Sequence, residues 1–187
     1  MQVQTLQGGF ADPAIEAANA FRALMEAMAR PGRVYEVTGA TAPAPMSQAM
    51  AVTLLTLCDT DTPIYLAGAL ETPEVQAWIA FHTGAPTVGP SHAMFAFGQW
   101  DALQPLSQFP RGTAKYPDRS ATLVVEIPAL EQTGATLTGP GIETSTSLSL
   151  PETDAFRVNA ALFPCGVDFI FTCGHRLAAL PRTTEVT

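Results

Sequence analysis

A chain of 187 residues with 47% apolar and only 14% charged side chains is long enough for one full core, yet carries less surface charge than most soluble domains. Its formal charge of −8, from 9 basic and 17 acidic residues, excludes a general nucleic-acid binder, which needs a basic footprint. No apolar run approaches the ~18 residues of a membrane helix, and the start "MQVQTLQGGFADP" lacks the basic-then-apolar order of a secretion signal.

In chain order, residues 1–11 read as an irregular arm. Asp12-Pro13 is an N-cap followed by a proline in the first helical turn, and Phe21, Leu24, Met25 and Met28 recur at helical spacing. This predicts a helix over 13–30, stopped by Pro31-Gly32. "RVYEV" (33–37) is a short strand candidate. A second helix is expected from Met46 to Cys58. It is apolar or small on most of its circumference and therefore buried. "PIYL" (63–66) reads as a strand. Thr72-Pro73 opens a third helix carrying Val75, Trp78, Ile79 and His82, and Gly84 closes it.

"AMFAFG" (93–98) is the next strand. Residues 99–120 lack periodicity, and "ATLVVEI" (121–127) and "ATLTGPGI" (135–142) follow as strands, the second running into a glycine turn. "ETSTSLSL" alternates as a half-exposed strand would. A helix over about 152–162 and the buried strand "VDFIFTC" complete the series. Helices and strands interleave, so the expected fold is a single α/β domain over residues 1–187, with a mixed β-sheet flanked by helices.

Three cysteines, an odd number without a CxxC pair, argue against a disulfide framework and for a reduced, cytoplasmic protein. If "VDFIFTC" is extended, Cys165 and Cys173 lie roughly 20–26 Å apart. That distance is too long for one zinc ion or one disulfide. Cys173 with His175 leaves a two-ligand fragment across a turn. His82 falls on an apolar helix face and His92 in a loop. No HExxH, GxSxG or Walker pattern occurs. "TGPGI" could form an anion nest, but Pro140 removes one N–H donor and a structural turn is the simpler reading.

The basic set is dominated by arginine, and Lys115 is the sole lysine. Arginine suits bidentate anion contacts and interface ion pairs, although a codon bias would produce the same composition. Arg111, Lys115 and Arg119 share the aperiodic "RGTAKYPDRSATL" loop, and loops carry function disproportionately. With Arg182 they are the candidate binding residues for an anionic small molecule, a nucleotide or phosphonate. For Arg182 the sequence favours a structural role, capping carbonyls or pairing with an acid. Asp168, inside an apolar strand, needs a partner or an interface.

Six stretches occur in order across nearly the whole chain: "FRALMEAMARPGR" (21–33), "LLTLCDTDT" (54–62), "YPDRSATLV" (116–124), "GPGI" (139–142), "FPCGVDFIF" (163–171) and "LPRTT" (180–184). Together they resemble the PhnH family, one of the components of the bacterial carbon–phosphorus lyase core complex. Cys165 is a departure, since the family more usually has an aliphatic residue between that proline and glycine.

The resemblance implies a fold similar to the large domain of PLP-dependent transferases but lacking the cofactor. It implies a cytoplasmic protein of phosphonate metabolism that works with the G, I and J subunits, docks on J, and forms a homodimer when isolated. The complex makes a ribose 1-alkylphosphonate 5-triphosphate from ATP and an alkylphosphonate, and J, an iron–sulfur radical protein, later breaks the C–P bond. A PhnH protein is then non-catalytic or assisting, with no catalytic residue, cofactor or metal of its own within this transferase and lyase system. Two competing readings are a stand-alone phosphate- or nucleotide-binding enzyme using Arg111, Lys115, Arg119 and Arg182, and a metal or thiol protein using Cys173 and His175.

Overall fold

The computed structural model describes residues 6–187. Helix α1 spans Pro13–Ala29. Asp12 Oδ1 accepts from the Ile15 N–H at 3.4 Å, and Glu16 reaches back to the Asp12 N–H at 2.9 Å, a reciprocal cap. Helix α2 (Gln48–Leu57) is capped by Ser47 and is buried on most sides, as its composition predicts. Helix α3 (Pro73–His82) is capped by Thr72 and buries Val75, Trp78 and Ile79. Helix α4 covers Asp154–Ala160.

The strands are β1 (Tyr35–Glu36), β2 (Ile64–Leu66), β3 (Phe95–Gln99), β4 (Thr122–Glu126), β5 (Ala135–Thr138), β6 (Thr146–Leu148), β7 (Asp168–Cys173), β8 (Arg176–Leu180) and β9 (Glu185–Val186). Six of them form a mixed sheet in the order β1-β8-β7-β4-β3-β2. Strands β2, β3, β4 and β7 run parallel, and β8 and β1 continue the edge antiparallel. A second, antiparallel sheet, β6-β5-β9, is built largely from the chain between β4 and β7. The expected mixed α/β sheet is present, and the small second sheet is an addition to it.

The pleat sorts the core in two. Val124 and Ile170 face α1, α2 and α3, whereas Leu123, Val125, Phe169 and Phe171 face Trp100, Phe156 and the small sheet. Both faces are covered, which is why the central strands read as continuous apolar runs. The rings of Trp100 and Phe156 stack at 4.8 Å, and Phe156 meets Phe169 edge-on at 4.9 Å.

Three expectations change. The sequence predicts no strand after Gly174, yet β8 pairs with β7 from Cys173↔Arg176 to Phe169↔Leu180. Its "RLAAL" sequence has no β-branched or aromatic residue, so only tertiary pairing makes it a strand. The "ETSTSLSL" tract contributes a strand only at Thr146–Leu148. In α1, moreover, the core face is Ala20, Leu24 and Ala27, while Phe21 and Met25 point outward, 46% and 51% exposed.

Buried Asn159 joins α4 to the approach to β7. Its Nδ2 donates to the Val167 carbonyl at 2.8 Å, and its Oδ1 accepts from the Val167 N–H at 2.9 Å. Asn159→Ala strands both backbone groups away from water. It should cost about 2–4 kcal/mol of unfolding free energy, read as a lower midpoint in urea at an unchanged slope.

Candidate functional site

Asp168 opens β7 and Arg182 follows β8, so the antiparallel pairing of these strands brings the two residues together. Asp168 Oδ1 accepts from the Arg182 backbone N–H at 2.8 Å and from Nε at 3.1 Å. Nη2 donates to Asp168 Oδ2 and to the Ser120 hydroxyl, and Nη1 to the Pro117 carbonyl at 2.8 Å. The two side chains are only 13% and 16% exposed. One guanidinium thus ties together the start of β7, the segment after β8 and the 3-10 turn Pro117–Arg119. Asp168 has its partner, and most of the Arg182 donors are used within the chain.

A cavity of ≈ 550 Å³ lies against this clamp. Its walls come from five separated stretches: Met28 and Ala29 at the end of α1, Pro117 and Asp118, Pro140 and Gly141, Phe163 and Pro164, and Pro181 to Thr183. These belong to five of the six stretches that carry the family resemblance. Gly141 explains why "GPGI" ends in this form. Its φ is +83°, and a Cβ there would sit 2.1 Å from the Ala29 carbonyl oxygen, so the turn packs directly on the end of α1. The walls are mostly apolar, and Phe163 at the rim is 63% exposed. The sixth stretch lies elsewhere. There Asp59 closes a turn by accepting from the Asp61 N–H and the Thr62 hydroxyl, and these bonds hold its carboxyl below the usual range.

The four candidate basic residues separate into three places. Arg182 is in the clamp. Lys115 and Arg119 both lie over the Tyr116 ring, 5.1 and 4.3 Å from its centroid. Arg111 bridges to Ser120 and lines a smaller cavity of ≈ 250 Å³ with Gln104 and Ser107. All three cysteines are free. Cys173 ends β7 while Cys165 precedes it. Burial and nearby Asp59 push the Cys58 thiol up to about 12, which makes it inert. His82 Nε2 lies 2.9 Å from the Leu6 carbonyl, holding the N-terminal arm to α3 together with the Trp78 N–H bond to Gln7.

Sequence reasoning missed Glu126. It stands at the C-terminal end of β4, beside a second cavity of ≈ 640 Å³. Glu126 Oε2 accepts from the Ser47 and Thr172 hydroxyls, each at 2.6 Å, and the Gly174 N–H also bonds the carboxylate. Burial outweighs these bonds and raises its pKa. The only signal in the sequence is an acid closing the apolar run "TLVV".

Two outcomes follow from this geometry. Arg182→Ala should lose about 3–5 kcal/mol, because it leaves Asp168 charged, shielded and unpaired. The double variant with Asp168→Asn should lose clearly less than the sum of the single variants, as a double-mutant cycle by denaturation would show. Glu126 predicts a pH dependence of the opposite kind. A carboxyl raised above its ordinary value of 4.5 binds its proton more tightly folded than unfolded. Its contribution therefore grows as pH falls toward 4.5 and is lost as pH rises through the folded value. The stability of Glu126→Gln, measured against the wild type across that window, should lack this slope.

Comparison with known proteins identifies the family. A family model described as "Bacterial phosphonate metabolism protein (PhnH)" matches residues 8–187. The chain is 44% identical over 195 residues to the "Alpha-D-ribose 1-methylphosphonate 5-triphosphate synthase subunit PhnH" of Rhizobium meliloti (strain 1021), covering 99% of this chain and 97% of that protein. It is 30% identical over 178 residues to the "Putative C-P lyase subunit protein HtxG" of Stutzerimonas stutzeri, covering 89% and 84%. The motif order read from the sequence and this match, running from the arm to the last strand, agree: the chain belongs to the PhnH family of bacterial phosphonate metabolism.

Proposed function

We propose that this chain is a non-catalytic or assisting subunit of the bacterial carbon–phosphorus lyase core complex, which makes ribose 1-alkylphosphonate 5-triphosphate from ATP and an alkylphosphonate. The names of both relatives support a subunit role. The observation that carries it is the meeting of five family stretches on an apolar, proline-walled groove rather than on a set of catalytic side chains. Pro117, Pro140, Pro164 and Pro181 make a stiff wall with the exposed Phe163 beside them, and α1, whose last turn gives Met28 and Ala29 to the groove, also exposes Phe21 and Met25. Such a surface takes an apolar anchor from another protein.

The partners in this reading are the G, I and J subunits, with J the occupant of the groove, and a homodimer forms when they are absent. The location is the cytoplasm, which suits the free cysteines. The whole chain is taken as one domain. Its four parallel strands with an antiparallel edge are compatible with kinship to the large domain of PLP-dependent transferases, without the cofactor. Anion binding by Arg111, Lys115, Arg119 and Arg182 is a secondary proposal. It is best supported at Arg111, which lines a cavity and, among the described residues, has neither an ion-pair partner nor the Tyr116 ring that Lys115 and Arg119 lie over.

Phe163→Asp, and separately Met25→Asp, should reduce co-purification with co-expressed G, I and J subunits by about tenfold or more. The far-ultraviolet circular dichroism should be unchanged. Undiminished recovery of the complex with both variants would refute the groove as the docking surface.

A further inference from the structure

The ≈ 250 Å³ cavity beside Arg111 is formed by α4, the turn after it and the chain that follows β3. Its apolar lining is Leu106, Ala155, Val158 and Leu162. Ala155, Val158 and Leu162 are spaced three and four apart, so they share one face of α4 and its final turn. The core face of this short helix is already filled by Phe156 and Asn159, yet Val158 is 66% exposed. Its polar lining is Gln104, Ser107, Arg111 and Asn159, and among the described residues no acid belongs to it. Asn159 is spent on both backbone groups of Val167.

We propose that this cavity takes an acidic side chain, Asp or Glu, from an aliphatic segment of a partner subunit, with Arg111 as the cation and the Gln104 amide as a second donor. The inference rests on the subunit reading above and names the chemistry of what docks. Arg111 is held in place by its backbone. It bridges to Ser120 on one side, and its carbonyl accepts from the Gly166 N–H at 2.9 Å on the other. Among the described residues its guanidinium has no ion-pair partner. The side-chain nitrogen of Gln104 is shielded from solvent and has no hydrogen-bond partner among the described residues. A shielded, unpaired donor is unfavourable. The terminal torsion of a glutamine is soft, so a small rotation offers the nitrogen to an acceptor in the cavity that this side chain lines.

The lining selects a protein carboxylate over a small polyanion. The cavity is smaller than the roughly 300–1,000 Å³ of a small-molecule site. It holds one cation, since Lys115 and Arg119 lie over the Tyr116 ring and do not line it. A phosphate chain would leave most of its charges unpaired there. A single carboxylate matches a single guanidinium, which can hold it by two parallel hydrogen bonds. Val158 and Leu162 then cover the aliphatic neighbours of that acid. The place is also continuous with the groove, because Leu162 of this cavity and Phe163 of the groove are consecutive. One partner segment can therefore seat an apolar anchor in the groove and an acid on Arg111.

The test follows the Gln104 side-chain amide and the Arg111 Nε–H by nuclear magnetic resonance in the full chain. The probe is the peptide acetyl-Leu-Glu-Leu amide, with acetyl-Leu-Gln-Leu amide, inorganic phosphate and ATP as controls. Saturable shifts of both groups are expected with the glutamate peptide. Arg111→Gln and Val158→Asp, both at exposed positions, should weaken that binding by about tenfold or more. In co-expression, Arg111→Glu should lower recovery of the G, I and J subunits by a similar factor. No saturable shift at about 20 mM peptide, equal binding of the glutamine peptide, or tighter binding of phosphate or ATP would each overturn the proposal. So would the same shifts on concentrating the chain alone, which would mark a second copy as the occupant, or undiminished recovery with Arg111→Glu. Recovery lost in Phe163→Asp but kept in Arg111→Glu removes this inference and leaves the groove standing. If the unaltered chain recovers no subunit, the subunit reading falls, and the peptide titration still decides whether the cavity holds an acidic segment.

Discussion

The fold of this chain turns on the pair of Asp168 and Arg182. The hydrogen bonds of an antiparallel hairpin fix two strands but leave the chain beyond the second strand undirected. Arg182 directs it. Its backbone N–H and Nε both seat on Asp168 Oδ1, and its two terminal nitrogens reach Asp168 Oδ2, Ser120 and Pro117. The planar five-donor fork is essential to that arrangement, because an ammonium at the same place could not satisfy three segments lying in different directions. The cost of holding two charges with little exposure is met by hydrogen bonds on nearly every side, the condition under which a shielded pair is tolerated. From that point the chain turns back toward β9, which pairs with β5 and closes the small sheet.

The groove walls depend on this clamp. Pro117 is held by Arg182 directly, Pro181 precedes it in the chain, and Thr183 follows it. The other three stretches are placed by α1 and by the loop of Arg111. Gly141 lets the "GPGI" turn touch the Ala29 carbonyl, and the carbonyl of Arg111 accepts from Gly166 N–H, tying the chain just after Pro164 to the loop of Arg111. Five pieces of sequence far apart in the chain become one surface because one side chain and two close backbone approaches leave them nowhere else to go. The other end of β7 has a carboxylate at its centre too, but Glu126 has hydroxyls and an N–H as partners rather than a guanidinium. Burial outweighs those hydrogen bonds, so Glu126 retains a raised pKa.

Local signals carried the helices and the central strands into view. Asp12-Pro13 and Thr72-Pro73 begin helices because an oxygen side chain and a pre-set φ act within four residues. The apolar runs of β4 and β7 are legible because both faces are covered. Strand β8 was not legible, since Arg176, Leu177, Ala178, Ala179 and Leu180 have no strand propensity and owe their conformation to β7. Asp168 announced that it needed a partner, but naming Arg182 required knowing that β8 returns along β7. The groove was not legible for the same reason. Each of its stretches is short and separately ordinary, and only the three-dimensional fold makes them neighbours. Glu126 was hidden by position, because a single acid after "TLVV" looks like the end of a strand whether or not a cavity lies beside it.

The outward face of α1 gives this chain an apolar surface. The helix packs on α2 and β8 through Ala20, Leu24 and Ala27. Small residues there let the helix approach closely, and they fill the interface without large side chains. Ordinary amphipathicity would then place polar residues outward. Instead Ile15, Phe21 and Met25 are turned to the surface, and Met28 at the far end of the helix enters the groove beside Phe163. Met28 also packs against the core, but Ile15, Phe21 and Met25 take no part in it. In water alone they are unfavourable to solubility in a chain that already has few charges. The same helix therefore serves two apolar environments with opposite faces. One is the core it helps build, and the other is a surface that fits the subunit role better than it fits a solitary soluble domain.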